Sequence, residues 1–331
     1  MNYFHCLNMR RGVLFFVLYM LLKTALAQTE PQFTQYMFNK YLFNPAYAGS
    51  ADGIDLSALY RNQYVGLTTK TISTEGFNVN MPVAAASSGI GITAINDNIG
   101  LQRTTYVSLN YDYRKNFTWG KMGIGIGAGI IQTALNGAEL QAPEGTYTGG
   151  IVNHNDPNLP NTMQNGIAPD LAFGVYFNNN RYFASAAINH IAFSSAKIST
   201  PAGSVDLNFA RNLSLMGGYD IDIGKKLSFM PSAIVKTDFK QVQVDVSGTF
   251  TIIDNILAGI SFRGYNKNAI DALSLIFGFR YRGFQLVYSY DANLSYLTNF
   301  NSGSHELSVN YVIGLKKKEN RGYFYHNPRF D

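Results

Sequence analysis

The chain has 331 residues, 14% of them charged and 14% aromatic, with a formal net charge of +5. A soluble globule carries about 25% charged residues, so this composition, with 31 glycines, 22 tyrosines and 23 phenylalanines, argues against a surface that faces water all round. Nucleic-acid binding is excluded as well: Arg10, Arg11 and Lys23 fall in the first 27 residues, which hold no Asp or Glu, and removing them lowers the charge from +5 to +2, leaving no basic face.

The first predicted element is an export signal. Arg10 and Arg11 precede an uncharged apolar run at 12–22, and small residues ending in Ala25-Leu26-Ala27 come before Gln28. That order of charge, apolar run and small residues marks a cleavable secretory signal over 1–27. The run is too short to anchor the chain, since a spanning helix takes about 20 apolar residues. The single cysteine, Cys6, leaves with the signal, which rules out disulfides, cysteine metal sites and a cysteine nucleophile in the mature chain. A lipoprotein would need a cysteine where Gln28 stands.

Residues 28–53 read as a periplasmic lead-in or plug, aromatic and nearly uncharged, with Phe38, Tyr41, Leu42 and Phe43 placed to close the periplasmic mouth. An Asn-Pro turn beside a glycine punctuates it at Asn44, Pro45 and Gly49.

From 54 to 313 the pattern is that of strands. Side chains alternate faces along a strand, and a barrel wall shows lipid on one face and its interior on the other. In 241–250 one face reads Val242, Val244, Val246, Gly248, Phe250 and the other Gln241, Gln243, Asp245, Ser247, Thr249. In 122–130 Met122, Ile124, Ile126, Ala128 and Ile130 alternate with Gly123, Gly125, Gly127 and Gly129, a glycine row that marks a close approach from inside or a bend. The rule repeats at Leu273, Leu275, Phe277, Phe279 and Tyr281, and at Leu307, Val309, Tyr311 and Ile313.

Strand and turn cues give about fourteen strands. An even-stranded barrel has short turns on the periplasmic side and longer loops outside. The even-numbered connections are mostly tight, as at Asn178-Asn179-Asn180, Asp222-Ile223-Gly224, Asp254-Asn255 and Arg282-Gly283. The long ones, 136–167, 194–206 and 291–304, are odd-numbered and are expected to face outward. The fold class expected is therefore an all-β transmembrane antiparallel barrel with both termini periplasmic. The polar tail 314–331 is placed in the periplasm too. A secreted β-sandwich is the competing fold, but its outer face would be rich in Lys, Glu and Thr.

Candidate sites are few. Asp245, Arg263 and Arg280 occupy interior positions, where ion pairs are expected, because a lipid-facing charge costs about 2–4 kcal/mol at midplane. The glycine row lacks the strand-turn-helix context of a nucleotide loop. His154 with Asp156 supplies too few ligands for a metal. Ser304-His305-Glu306 cannot form a triad by itself, since neighbours on a strand point to opposite faces. No cofactor or metal is expected.

Three segments carry a family resemblance: Gln32-Phe33-Thr34-Gln35-Tyr36-Met37-Phe38-Asn39, then Asn44-Pro45-Ala46-Tyr47-Ala48-Gly49-Ser50, then Arg61-Asn62-Gln63-Tyr64-Val65-Gly66-Leu67. With Ala168-Pro169-Asp170-Leu171, Asn189-His190 and Gly303-Ser304-His305-Glu306-Leu307-Ser308-Val309, the chain resembles the PorP/SprF family of outer-membrane proteins of the Bacteroidetes type IX secretion system. The resemblance implies a non-enzymatic role in exporting, and holding at the surface, cargo with a C-terminal sorting domain such as gliding adhesins. Implied partners are the periplasmic ring lipoprotein and its associated subunits, beside outer-membrane lipid. Gln35, Tyr36, Asn44, Pro45, Tyr47 and Gly49, as signature residues, are the implied binding positions, on a docking surface for the machine. A general solute channel and, less favoured, a barrel hydrolase stand as alternatives.

Overall fold

A computed structural model describes residues 30–67, 72–83, 86–265 and 269–315. The signal segment, Cys6 and the tail beyond residue 315 lie outside the described residues. In chain order the strands are β1 Gly53–Gln63, β2 Ile72–Val83, β3 Ser88–Ile99, β4 Gln102–Phe117, β5 Gly120–Asn136, β6 Met163–Asn178, β7 Tyr182–Asn189, β8 Ser195–Thr200, β9 Gly203–Asn208, β10 Asn212–Tyr219, β11 Ile221–Asp222, β12 Leu227–Thr237, β13 Val242–Ile252, β14 Ile256–Tyr265, β15 Ala269–Tyr281, β16 Phe284–Asn293 and β17 Ser304–Gly314.

Among the described residues, β1–β7, β10 and β12–β17 form a closed antiparallel barrel of fourteen strands. Each pairs with its neighbour in sequence, and the ring closes where β1 meets β17, Arg61 standing opposite Glu306. Closure leaves neither the first nor the last strand of the wall with a free side, where lipid would offer its backbone groups no partner.

The alternation sets the two faces. On β13 Val244, Val246 and Phe250 point outward, while Gln243, Asp245, Ser247 and Thr249 are buried inside. Exposed Leu273, Leu275, Phe277, Phe279 and Tyr281 continue the outer wall on β15. At the short-turn end Phe117, Trp119, Phe177, Tyr182 and Tyr219 form a run of ring contacts with centroids 4.9–6.4 Å apart, part of the aromatic girdle such barrels carry at an interface. One turn there, Arg282-Gly283, has positive φ at both residues, the hairpin geometry that matches strand twist.

Two connections differ from expectation. The third odd-numbered long loop shrinks to 294–303, but 190–211 carries the antiparallel hairpin β8–β9. Its strands of six residues are too short to span a bilayer. It does not project outward: Ala196 packs with the inward-facing Ile131, Ala168 and Tyr106 and with Phe209, because Gly166 and Ala168 leave room on the luminal face of β6. The hairpin therefore roofs part of the lumen.

Loop 137–162 is stapled from within by His154, which is buried. Its Nε2 is 3.0 Å from the carbonyls of both Gly137 and Pro160, and its Nδ1 accepts from the Tyr147 hydroxyl at 2.9 Å. The amide of Ala142 in turn donates to that hydroxyl oxygen at 2.6 Å. His154→Ala orphans these groups at about 1–3 kcal/mol each. The expected result is chymotryptic cleavage within 137–162 about tenfold faster in the detergent-solubilised protein, with the barrel itself unchanged; equal cleavage rates would remove His154 from this role.

Candidate functional site

The segment before β1 does not close one mouth, as expected from sequence; it fills the lumen. Residues 30–52 enter beside His190 at the long-loop end and descend to Gly53 at the short-turn end. The physical reason is packing: Phe33, Tyr36, Met37, Phe43 and Ala46 are buried in one cluster with inward side chains of the wall, among them Leu59, Tyr176, Met216, Ile234, Leu257 and Ile276. An interior that offers apolar side chains at these positions gains from an apolar occupant, at roughly 25 cal/mol per Å² removed from water.

Local sequence shapes the plug. Asn44 precedes the short 3-10 turn Pro45–Tyr47 and accepts from the Ala46 amide at 2.8 Å, with proline at the first turn position where no amide is required. The Asn44 amide nitrogen donates to the carbonyl of Val175 at 2.9 Å and to the Ser185 hydroxyl at 2.8 Å. Tyr47 meets Tyr176 edge-on at 5.1 Å. The glycine row is approached as the sequence suggests: a Cβ on Gly125 would run into the backbone of Pro45 and Ala46, and one on Gly123 would lie 2.9 Å from the Ala46 carbonyl. Gly49, at φ +65°, donates to Asn80 at 2.8 Å and leaves no space for a side chain against Pro82 and Gly89. Arg114 donates to the carbonyls of Ala48 and Gly49.

The upper part is held by charge. The amides of Thr34 and Gln35 donate to the Glu306 carboxylate at 2.8 and 2.9 Å. Arg61 pairs with Glu306 at 2.9 Å and with Asp291 at 2.7 Å, all three side chains being no more than 1% exposed. Arg263 pairs with Asp245 at 3.0 Å and with Asp291 at 3.4 Å. The Thr34 hydroxyl donates to Asp291 at 2.8 Å and accepts from Arg61 at 3.1 Å and Arg263 at 2.9 Å. One hydroxyl thus uses its proton and both lone pairs. Gln35 donates to Ser289 and to the carbonyl of Glu306 at 3.2 and 3.0 Å, and Tyr36 lies 3.2 Å from the Ser232 hydroxyl. Each of these buried charges has an ion-pair partner and further hydrogen bonds, the condition under which burial is tolerated, although Arg61 Nε is left without an acceptor.

At the long-loop end His190 lies 3.0 Å from Glu30 and 3.0 Å from Asp170. Burial disfavours its charge, but the two carboxylates outweigh it and push the imidazole from its ordinary 6.5 up to about 10. A raised pKa contributes stability that is complete below 6.5 and is lost as pH rises through about 10. The melting midpoint of the barrel is therefore expected to fall progressively from about pH 6.5 to about 10, more steeply than in His190→Gln, and the two profiles to run parallel above that; parallel profiles throughout would show that this latch contributes nothing. Beneath it, a cavity of about 80 Å³ separates the plug from the wall, lined by Tyr41, Phe43, Tyr106, Asn110, Gly127 and Gly129 among others.

The six signature residues are thus all turned to the barrel. Gln35, Tyr36 and Asn44 are at most 1% exposed, Pro45 and Gly49 are buried and Tyr47 half-buried, so none of them forms an open docking surface in this state. Sequence reasoning named Thr34, Arg61 and Glu306 only as members of the family segments, and Glu306 in the rejected triplet, and it placed Asp291 at a loop edge; for the three charged residues the available signal was a charge at an inward position of a strand. Asp245 and Arg263 make the interior pair expected of them. Arg280 does not: at the exposed rim its guanidinium donates to Gln285 at 2.9–3.0 Å, because water there solvates the charge without a carboxylate. Ser304 and Glu306 face inward and His305 faces outward to Tyr288, at 2.7 Å, which divides that triplet. Among the described residues no group of three metal-ligating side chains occurs.

The sequence model of one family, described as type IX secretion system membrane protein PorP/SprF, matches residues 25–311. No curated protein matches the chain. Among solved structures the chain is similar to a FadL homologue of Pseudomonas aeruginosa, at 12% identity and a TM-score of 0.48 over 86% of this chain and 95% of that one. It is similar also to the toluene transporter TbuX of Ralstonia pickettii, at 9% and 0.47 over 85% and 93%, and to the outer membrane protein Omp33 of Acinetobacter baumannii, at 8% and 0.43 over 79% and 99%.

Proposed function

The chain belongs to the PorP/SprF family of type IX secretion system membrane proteins and is an outer-membrane β-barrel, and from this we propose that it supports export and surface attachment of specific cargo without conducting it through its own lumen. The observation that carries the reading is the use made of the signature: Thr34, Gln35, Asn44 and Gly49 are committed to holding a plug in the barrel. A barrel of fourteen strands is wide enough to enclose a passage, and a plug hydrogen-bonded to a buried ion-pair cluster of the wall does not suit a general solute channel. The working surfaces are then the two ends. In this reading the short turns face the periplasm, where the ring lipoprotein and its subunits engage the rim, and the long loops face outward toward cargo such as gliding adhesins with a C-terminal sorting domain.

The test is affinity purification of tagged protein from detergent-solubilised outer membranes of the native host, with mass spectrometry of what co-purifies. The expected result is ring or translocon subunits together with an exported protein, and loss of that protein from the surface when the gene is deleted. Normal display of all such cargo in the deletion strain would overturn the reading.

A further inference from the structure

The barrel wall has a notch. β5 and β6 pair along the whole of β6, from Lys121 opposite Asn178 to Asn136 opposite Met163, whereas β6 pairs with β7 only from Phe173 opposite Ile188 to Asn178 opposite Phe183. Beyond that point the chain turns away at His190 and Phe193, both with positive φ. Two last bonds tie it to the β6 edge, from the Ile191 amide to the carbonyl of Leu171 and from the Ser194 hydroxyl to that of Pro169.

These bonds fix which backbone groups point into the notch. In an antiparallel strand the N–H and C=O of one residue point to the same side and alternate along the chain, so Leu171, Pro169, Ile167, Asn165 and Met163 face the notch while Gln164, Gly166 and Ala168 face β5. Pro169 has no donor to offer on that side, the position at which proline is tolerated in a sheet. Among the described residues, nothing is bonded to the backbone of Ile167, Asn165 or Met163 on the open side. The outer face beside them is apolar and exposed, with Met163 at 57% and Ile167 at 63%, and the luminal face is closed by Ala196 and Lys197 of the roof hairpin.

We infer that the outer part of β6, Met163, Asn165 and Ile167, is a strand-addition site that takes an extended segment of exported polypeptide. An unpaired edge with donors and acceptors at every second residue recognises an extended backbone of any sequence, and Met163 and Ile167 favour apolar residues at alternate positions on its outward side. Native sheets ordinarily cover or charge such an edge; this one is neither covered nor charged at the end of the barrel assigned above to cargo. The inference rests on that assignment.

The test places a photo-crosslinking amino acid at the exposed position Met163 in the native host and compares that protein with and without the double substitution Asn165→Pro, Ile167→Pro. Both prolines remove amides on the open side and leave the β5 ladder intact, and heat-modifiable gel mobility reports that the barrel has folded; Ile167→Pro alone serves if the double variant fails. The expected result is an adduct identified as an exported protein, weakened about ten- to a hundredfold by the prolines, since each backbone bond contributes about 0.5–1.5 kcal/mol. Cargo that co-purifies equally with wild type and proline variant overturns the edge and leaves the function standing. Adducts to a second copy of this chain overturn it in favour of self-association. No exported protein with wild type overturns both.

Discussion

Excision of residues 30–50 is expected to turn an electrically silent barrel into a conducting one. The segment supplies the apolar surface that fills the interior, including Phe33, Tyr36, Met37 and Phe43. Without it, the inward Arg61, Arg263, Asp291 and Glu306, buried at present, would line a hydrated passage. Barrels of eight strands are filled by their own side chains, and those of sixteen to eighteen leave an aqueous channel; fourteen lies in the range where an inserted segment decides. In planar bilayers the intact protein should give no discrete steps and the excised one resolvable steps at the same applied potential. Equal conductance from both would mean that the plug does not seal the lumen, and the channel reading would become the leading one. The fourteen strand pairings do not involve the segment, so the excised barrel should retain its heat-modifiable mobility.

The second large effect is expected at Arg61. Replacing it by Met leaves Glu306 without its ion pair and Asp291 with Arg263 alone, in a region with almost no access to solvent. Removing one partner of a buried pair costs about 3–5 kcal/mol, because the remaining charge is left uncompensated. The folded barrel should therefore lose its fast gel mobility at a clearly lower temperature. Adding Glu306→Gln to Arg61→Met should recover part of the loss, since that removes the orphaned charge while one amide acceptor for Thr34 or Gln35 survives. The control is Glu75→Gln on the outer wall, where the exposed carboxylate accepts from Asn96 at 3.1 Å and surface substitutions stay within about 0.5 kcal/mol. If Arg61→Met behaves like that control, the clasp does not hold the plug.

Some of this was legible along the chain. The inward positions of Asp245 and Arg263 follow from period two, and their pairing follows from adjacency, since they stand opposite each other on consecutive strands. The glycines Gly123 and Gly125 could be read as a place of close approach, but not what approaches. The latch at His190 joins Asp170, twenty positions earlier, and Glu30, at the far end of the plug, and no local pattern relates the three. The roof hairpin escaped notice because its twelve paired residues alternate too briefly and with too much Ser and Thr to stand out from a polar loop.

By itself, then, the sequence determined the wall: strand number, the face of each side chain and the side on which turns are short. These depend on period two and on turn chemistry, which act between near neighbours. Only the tertiary structure decided what occupies the interior. Ring closure sets Arg61 opposite Glu306 across the seam of β1 and β17, and it brings Thr34 to Asp291, 257 residues away. Contacts of that separation form only once the ring shuts, because each is paid for in loop-closure entropy that fourteen laddered strands together repay.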